Sequence, residues 1–178
     1  MPQLTPGQIA QVSSLVAEYI SVQRERFSPQ AARLSAEQRA AKTGFFPSQV
    51  LDAARVDVPH GGRIESPPFY PLLAGMGFSH LLDISQMAAT TFCDVLVSHV
   101  PFTEGLLFHE LVHVEQYRQL GIPRFSELYV RGFLSGGGYD GIPLEMNAYA
   151  LGRQFEGSPR QHFSVADDVA KWVQEGRF

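Results

Sequence analysis

The chain is poor in cysteine, in charge of either sign and in long apolar runs, and each shortage removes a class of protein. A single cysteine, Cys93, in 178 residues rules out an internal disulfide, so nothing here calls for an oxidising compartment. Charged residues make up only 18% of the chain and the formal net charge is −4. That balance argues against nucleic acid or an anionic membrane surface as a partner, and the 14 basic residues are scattered, not clustered. No segment approaches about 18 uninterrupted apolar residues, so no transmembrane helix is expected. Residues 1–20 are amphipathic and lack the basic start and apolar core of a secretory signal, so a cytoplasmic location is expected. What is present is an ordinary globular composition, 44% hydrophobic, at a length that builds one domain with its own core.

One stretch organises the rest: residues 103–121, TEGLLFHELVHVEQYRQLG. Thr103 suits an N-cap, Glu104 adds negative charge to the first turn, Gly121 suits a helix end and Pro123 stops continuation. Within that helix, His109 and His113 are four residues apart, so they project from one face and can share an ion with bonds of about 2.0–2.1 Å. Glu110 lies about 100° further round. It is placed to hold a water on the same ion, not to be an obvious third ligand. Two neutral imidazoles favour zinc, and a carboxylate beside them is the general base of a metal-dependent hydrolase. A chance HExxH occurs in about one chain in a hundred of this size and falls more often in a loop or on a polar face. Here Leu107, Phe108, Leu111 and Val114 line the opposite face, as expected of a mostly buried helix with its polar cluster turned to a cleft.

Along the chain, Thr5-Pro6 starts a helix that runs to about Arg26 on the spacing of Ile9, Val12, Val16, Tyr19 and Ile20. Ser35 to Gln38 has the form of a capping box, and Gly44 closes that second helix. Pro47 marks a possible helix start, and RVDVP at 55–59 is a short strand candidate. Residues 60–68, HGGRIESPP, are a loop, and 69–77 are expected to continue irregularly because Pro71, Gly75 and Gly77 interrupt them. Residues 90–100, TTFCDVLVSHV, are expected to form one strand of about ten residues packed on the histidine helix. A helix from near Pro123 ends in the glycines 136–138. Pro143 begins another, and Ser164 caps a terminal packing helix.

A catalytic zinc takes three protein ligands and keeps one position open. Glu145, in the first turn of the helix begun by Pro143, is the first choice for the third, with Asp140, Glu127 and Cys93 as rivals. Gln116 and Tyr117 lie one turn beyond His113 on the same stripe, where they either orient a ligand or simply end the helix. Tyr139 and Tyr149 are candidate donors to a developing oxyanion, although such tyrosines are more often core-edge residues. His99 reads as a structural histidine, and His60, His80 and His162 have no partner pattern.

HELVH followed by VEQ, with PLEMNAYA downstream, resembles the gluzincin branch of zinc metallopeptidases. It is closer still to small bacterial metallopeptidase-like proteins with a HELxHxxQ helix and a later P-x-E-x-E-A helix. The resemblance covers roughly residues 91–152. It implies that the third ligand is a glutamate on the later helix. That family type often carries two acids there; this chain has Glu145 at the first and Asn147 at the second. If the first acid is the ligand, the set His109, His113 and Glu145 is intact; if the second, Asn147 is a poor substitute. Peptide deformylases also combine a cysteine with an HExxH helix, but TTFCDVL lacks their EGCLS-like context and no GxGxAAxQ segment is present.

The expectation is therefore a single α+β domain of zincin-like character over residues 1–178. It divides into an N-terminal helical and loop part (1–89), the strand, HExxH helix and third-ligand helix (90–157), and a C-terminal packing helix (158–178). One Zn2+ is held by His109, His113 and Glu145, with Glu110 as general base for hydrolysis of a peptide or protein substrate. The alternatives are a non-catalytic domain that binds a partner through the cleft, or hydrolysis of a non-peptide amide.

Overall fold

Capping decides most of the helix starts. In the computed structural model of the chain, which describes residues 4–59, 64–78 and 81–178, Thr5 and Ser35 each close a full capping box. They open α1 (Pro6–Phe27) and α2 (Ala36–Lys42), and Gly44 follows α2 with φ +92°, the left-handed geometry that glycine adopts without strain. Pro47 N-caps α3 (Ser48–Ala53), and Ser164 accepts from the Asp167 amide to start α7 (Val165–Gln174). Between them lie α4 (Tyr70–Gly75), α5 (Glu104–Gly132) and α6 (Pro143–Gly157). Among the described residues the fold is α+β: seven α-helices around a four-stranded mixed sheet.

The sheet runs β1 (Ala32–Arg33), β2 (Arg55–Asp57), β4 (Val95–Ser98), β3 (Ala89–Phe92), with β2 and β4 parallel and the outer pairs antiparallel. The expected single strand over 90–100 is instead the β3–β4 hairpin, which turns at Cys93-Asp94. Cys93 has φ +63°, a left-handed turn position without the glycine or asparagine that normally advertises it. Arg24 of α1 holds the turn through a bidentate ion pair to Asp94. Phe92 faces α1, edge-on to Tyr19 and stacked on Phe27 at 6.0 and 6.1 Å between ring centres. Leu96, on the other face, joins Leu107, Phe108 and Leu111 of α5 in the main core.

One further expectation changes and another holds. Residues 70–75 are helical, because Pro71 fits the first turn of a helix and Gly75 its end, so the breakers punctuate α4 without preventing it. Gly121 ends the first helix as expected, and the helix expected from near Pro123 follows directly. Gly121 takes φ +71° and ψ 162°, and helix resumes at once, so α5 is two helical arms joined by a sharp bend. The loop expected at 60–68 is described only from residue 64 onward. His60 and His80 lie outside the described residues. Among the described residues, no helix is long and apolar enough to cross a membrane.

Close packing sets where α6 begins. Gly132, at the end of α5, lies against the start of α6: a Cβ there would sit 2.7 Å from Pro143 Cδ and 3.2 Å from Ile142 Cα. Phe108 then stacks on Phe155 at 4.4 Å, which pins the two helices along their length. The first turn of α6, with Glu145, is thereby carried to the histidine face of α5.

Candidate metal centre

His109 and His113 sit in the first arm of α5 with one face of the helix in the core. Leu107, Phe108 and Leu111 are fully buried there and Val114 nearly so, as the spacing predicts. Opposite them, three ligand-type atoms form a near-equilateral triangle. His109 Nε2 is 3.2 Å from His113 Nε2, and each is 3.3 Å from Glu145 Oε2. Ligands bound at about 2.0–2.1 Å around a tetrahedral ion lie about 3.3–3.4 Å apart. The triangle has that edge length. Glu145 Oε2 is buried and faces both imidazole nitrogens, an arrangement that is costly unless a proton or a cation lies between them. The donor set of two imidazoles and one carboxylate with the fourth side open therefore fits a catalytic zinc.

The electrostatics of the metal-free cluster agree. Burial opposes a charged His113, but the Glu145 carboxylate, with Glu110 and Gln116 adding to it, pushes its pKa up to about 9. Burial alone would raise Glu145, yet the two imidazoles, His113 foremost, hold it well below the usual carboxylate range.

Behind the triangle runs a chain of polar contacts. His113 Nδ1 meets Gln116 Oε1 at 2.8 Å, and Gln116 donates to the Leu144 carbonyl and to Asn147 Oδ1, both at 3.0 Å. Asn147 in turn donates to Asp168 Oδ1 of α7 at 2.8 Å. Gln116 thus orients a histidine, and with Oε1 as acceptor it fixes Nδ1 as the protonated ring nitrogen and leaves Nε2 free for a metal. Asn147 is a buried partner of Gln116, outside the triangle. Its amide does there what a second acid would do poorly, since it accepts from one neighbour while donating to another.

Glu110, 4% exposed, points its Oε2 at Thr91 Oγ1, which donates at 2.7 Å. Thr91 comes from β3, the edge strand of the sheet, and no sequence pattern marks it: its role follows only from the strand lying against α5. Tyr117 stacks on Phe125 at 3.8 Å and donates weakly to the Thr91 carbonyl at 3.4 Å, so it supports the same strand and does not reach the triangle. Tyr149 packs its ring on His109 at 4.5 Å. Tyr139 lies near Glu145, and burial together with that carboxylate raises its phenol far above the ordinary range. Tyr129, which no sequence pattern marks, is raised by the same two causes and lies near the same carboxylate.

The rivals for the third ligand lie elsewhere. Glu127 bridges Arg124 and Arg131 on the outer side of α5, Cys93 occupies the hairpin turn, and Asp140 is exposed in a 3-10 turn. His162 packs edge-on against Phe45 over Gly44. His99 Nε2 is buried without a partner and is not part of the triangle. Among the described residues, His109, His113 and Glu145 are the group arranged to hold a metal ion. Comparison of the chain with protein-family models, with curated proteins and with solved structures finds no match, so the reading of this site rests on its own residues.

Proposed function

We propose that this chain is a zinc-dependent hydrolase of peptide bonds, built on a zincin-like domain. The observation that carries the reading is the triangle of His109, His113 and Glu145 with its 3.2–3.3 Å edges, beside a buried carboxylate that belongs to neither corner. The resemblance of HELVHVEQ and PLEMNAYA to gluzincin sequences points the same way. Zinc in that position would supply Lewis acidity toward the scissile carbonyl and make water a usable nucleophile at neutral pH.

The protein's own groups do the rest. Thr91 holds Glu110 Oε2, so Oε1 is the oxygen left to accept a proton from the attacking water. As the hydroxide adds to the carbonyl carbon and the C–N bond breaks, the same carboxylate delivers that proton to the departing nitrogen, giving an acid and an amine. Tyr139 and Tyr149, which line the outer cleft with His109, are the candidate donors to the carbonyl oxygen as charge develops on it. β3 ends the sheet next to Glu110, and pairing by alternation turns the backbone groups of Ala89 away from β4 toward the cleft, as an extended peptide would require.

A second reading, hydrolysis of a non-peptide amide, is favoured by the apolar cavity that opens on the same residues. Both readings fall together under one experiment. Glu110→Gln should keep zinc and lower turnover of a peptide and acyl-amide panel by about 10²–10⁴-fold. Full activity in that variant would contradict the mechanism.

A further inference from the structure

Two cavities meet at His109 and Glu110, and they differ in kind. The outer one is an open groove past Gly105, Tyr149 and Arg153. The inner one, about 170 Å³, runs from the triangle between α1, α4, the 81–87 segment and the second arm of α5. Its histidines and carboxylates gather at one end: His109, Glu110, His113 and Glu145. Away from that end the walls are hydrocarbon, with Val12, Val16, Leu73, Phe78, Val130 and Leu134 among them.

The tyrosines in the wall do not change this. Tyr19 and Tyr70 donate their hydroxyls to the carbonyls of Glu65 and Leu82, each at 2.8 Å. Their hydroxyls are therefore already paired, and the same bonds tie the covering segments in place. A half-open cavity that is apolar at one end and polar at the other matches an amphipathic occupant.

We propose that the substrate is an amide with an extended, unbranched apolar chain on one side of the scissile bond, the chain lying in this inner cavity and the amide at the triangle. The proposal rests on the hydrolase reading for the amide but not for the chain. A fatty-acyl-type group has the required chemistry: a flexible tail without hydrogen-bonding groups and a carbonyl at its end. The leaving portion would then exit through the outer groove.

The test uses two series on the full chain. With zinc-loaded protein, straight-chain hydroxamates from acetyl to dodecanoyl should bind about fourfold tighter per added methylene until the cavity is full, and then level off. With metal-free protein, n-alkanols from butanol to decanol should show the same gain in calorimetry, independent of any metal chemistry. Val16→Phe and Leu73→Trp, each checked for a cooperative melt, should flatten the dependence on length in both series. Alkanols and hydroxamates whose affinity does not rise with length would overturn the chain proposal while leaving the metal site standing. A rise with length for alkanols, with no hydroxamate binding and no zinc uptake, would retain the apolar-chain site and sink the hydrolase reading.

Discussion

Gln116 shows how much chemistry a single side chain settles at this site. It is fully buried, fixes the tautomer of His113 and ties the start of α6 to α5 through Leu144 and Asn147. Gln116→Ala is expected to weaken zinc binding by about 10–100-fold, read by competition with a chelator, because the imidazole loses its orienting partner. Affinity within twofold of wild type would remove that role. The proton at His113 makes a second prediction at the same scale. In the metal-free protein its pKa is raised from 6.5 to about 9, so this group adds stability fully below about pH 6.5 and loses it as pH rises through 9. Glu145 is lowered from 4.5, so its contribution is present above that value and is lost on acidification. Zinc must displace the proton on His113. Calorimetry at pH 7.5 in buffers of different ionisation heat should therefore find about one proton released per zinc. Binding without proton release would show that the pair is not protonated as described.

At the scale of elements, the site depends on how closely α6 approaches α5. Gly132 permits the contact with Pro143 and Ile142, and neither a proline ring nor a backbone Cα gives way easily. Gly132→Ala should cost about 1–3 kcal/mol in a denaturant melt and weaken zinc binding, since Glu145 sits two residues past Pro143. A stable variant with unchanged zinc affinity would mean that α6 is positioned by the Phe108–Phe155 stack alone.

The elements also show what could be read in advance. Thr5, Ser35, Thr103 and Ser164 are local signals, each acting within about four residues, and they marked α1, α2, α5 and α7 correctly. The i, i+4 histidines were legible for the same reason, since helix geometry puts them on one face. Glu145 was singled out by its first-turn position and the resemblance, and it reaches them only through the packing of α6 on α5. The hairpin was not, because Cys93-Asp94 interrupts a β-branched run with a turn that carries no glycine. Thr91 and Asp168 act across 19 and 21 residues of sequence, on partners that only packing brings near.

Across the whole molecule, the two halves of the chain divide the work. Residues 90–157 supply the triangle, Glu110 and most of β3, and they carry the motifs that sequence resolves. The first 89 residues, which resemble nothing definite, supply α1 and α4 and so much of the wall of the inner cavity. Their contribution is shape and apolar surface, which leave no short motif. Everything proposed for the chain nevertheless turns on the ion. The most direct measurement is metal content by elemental analysis of wild type, Glu110→Gln and Glu145→Ala, purified identically without a metal-affinity tag. About one zinc per chain is expected in wild type and in Glu110→Gln, with zinc lost from Glu145→Ala. Zinc retained in full by Glu145→Ala, or absent from wild type even after zinc is added back, would contradict the account.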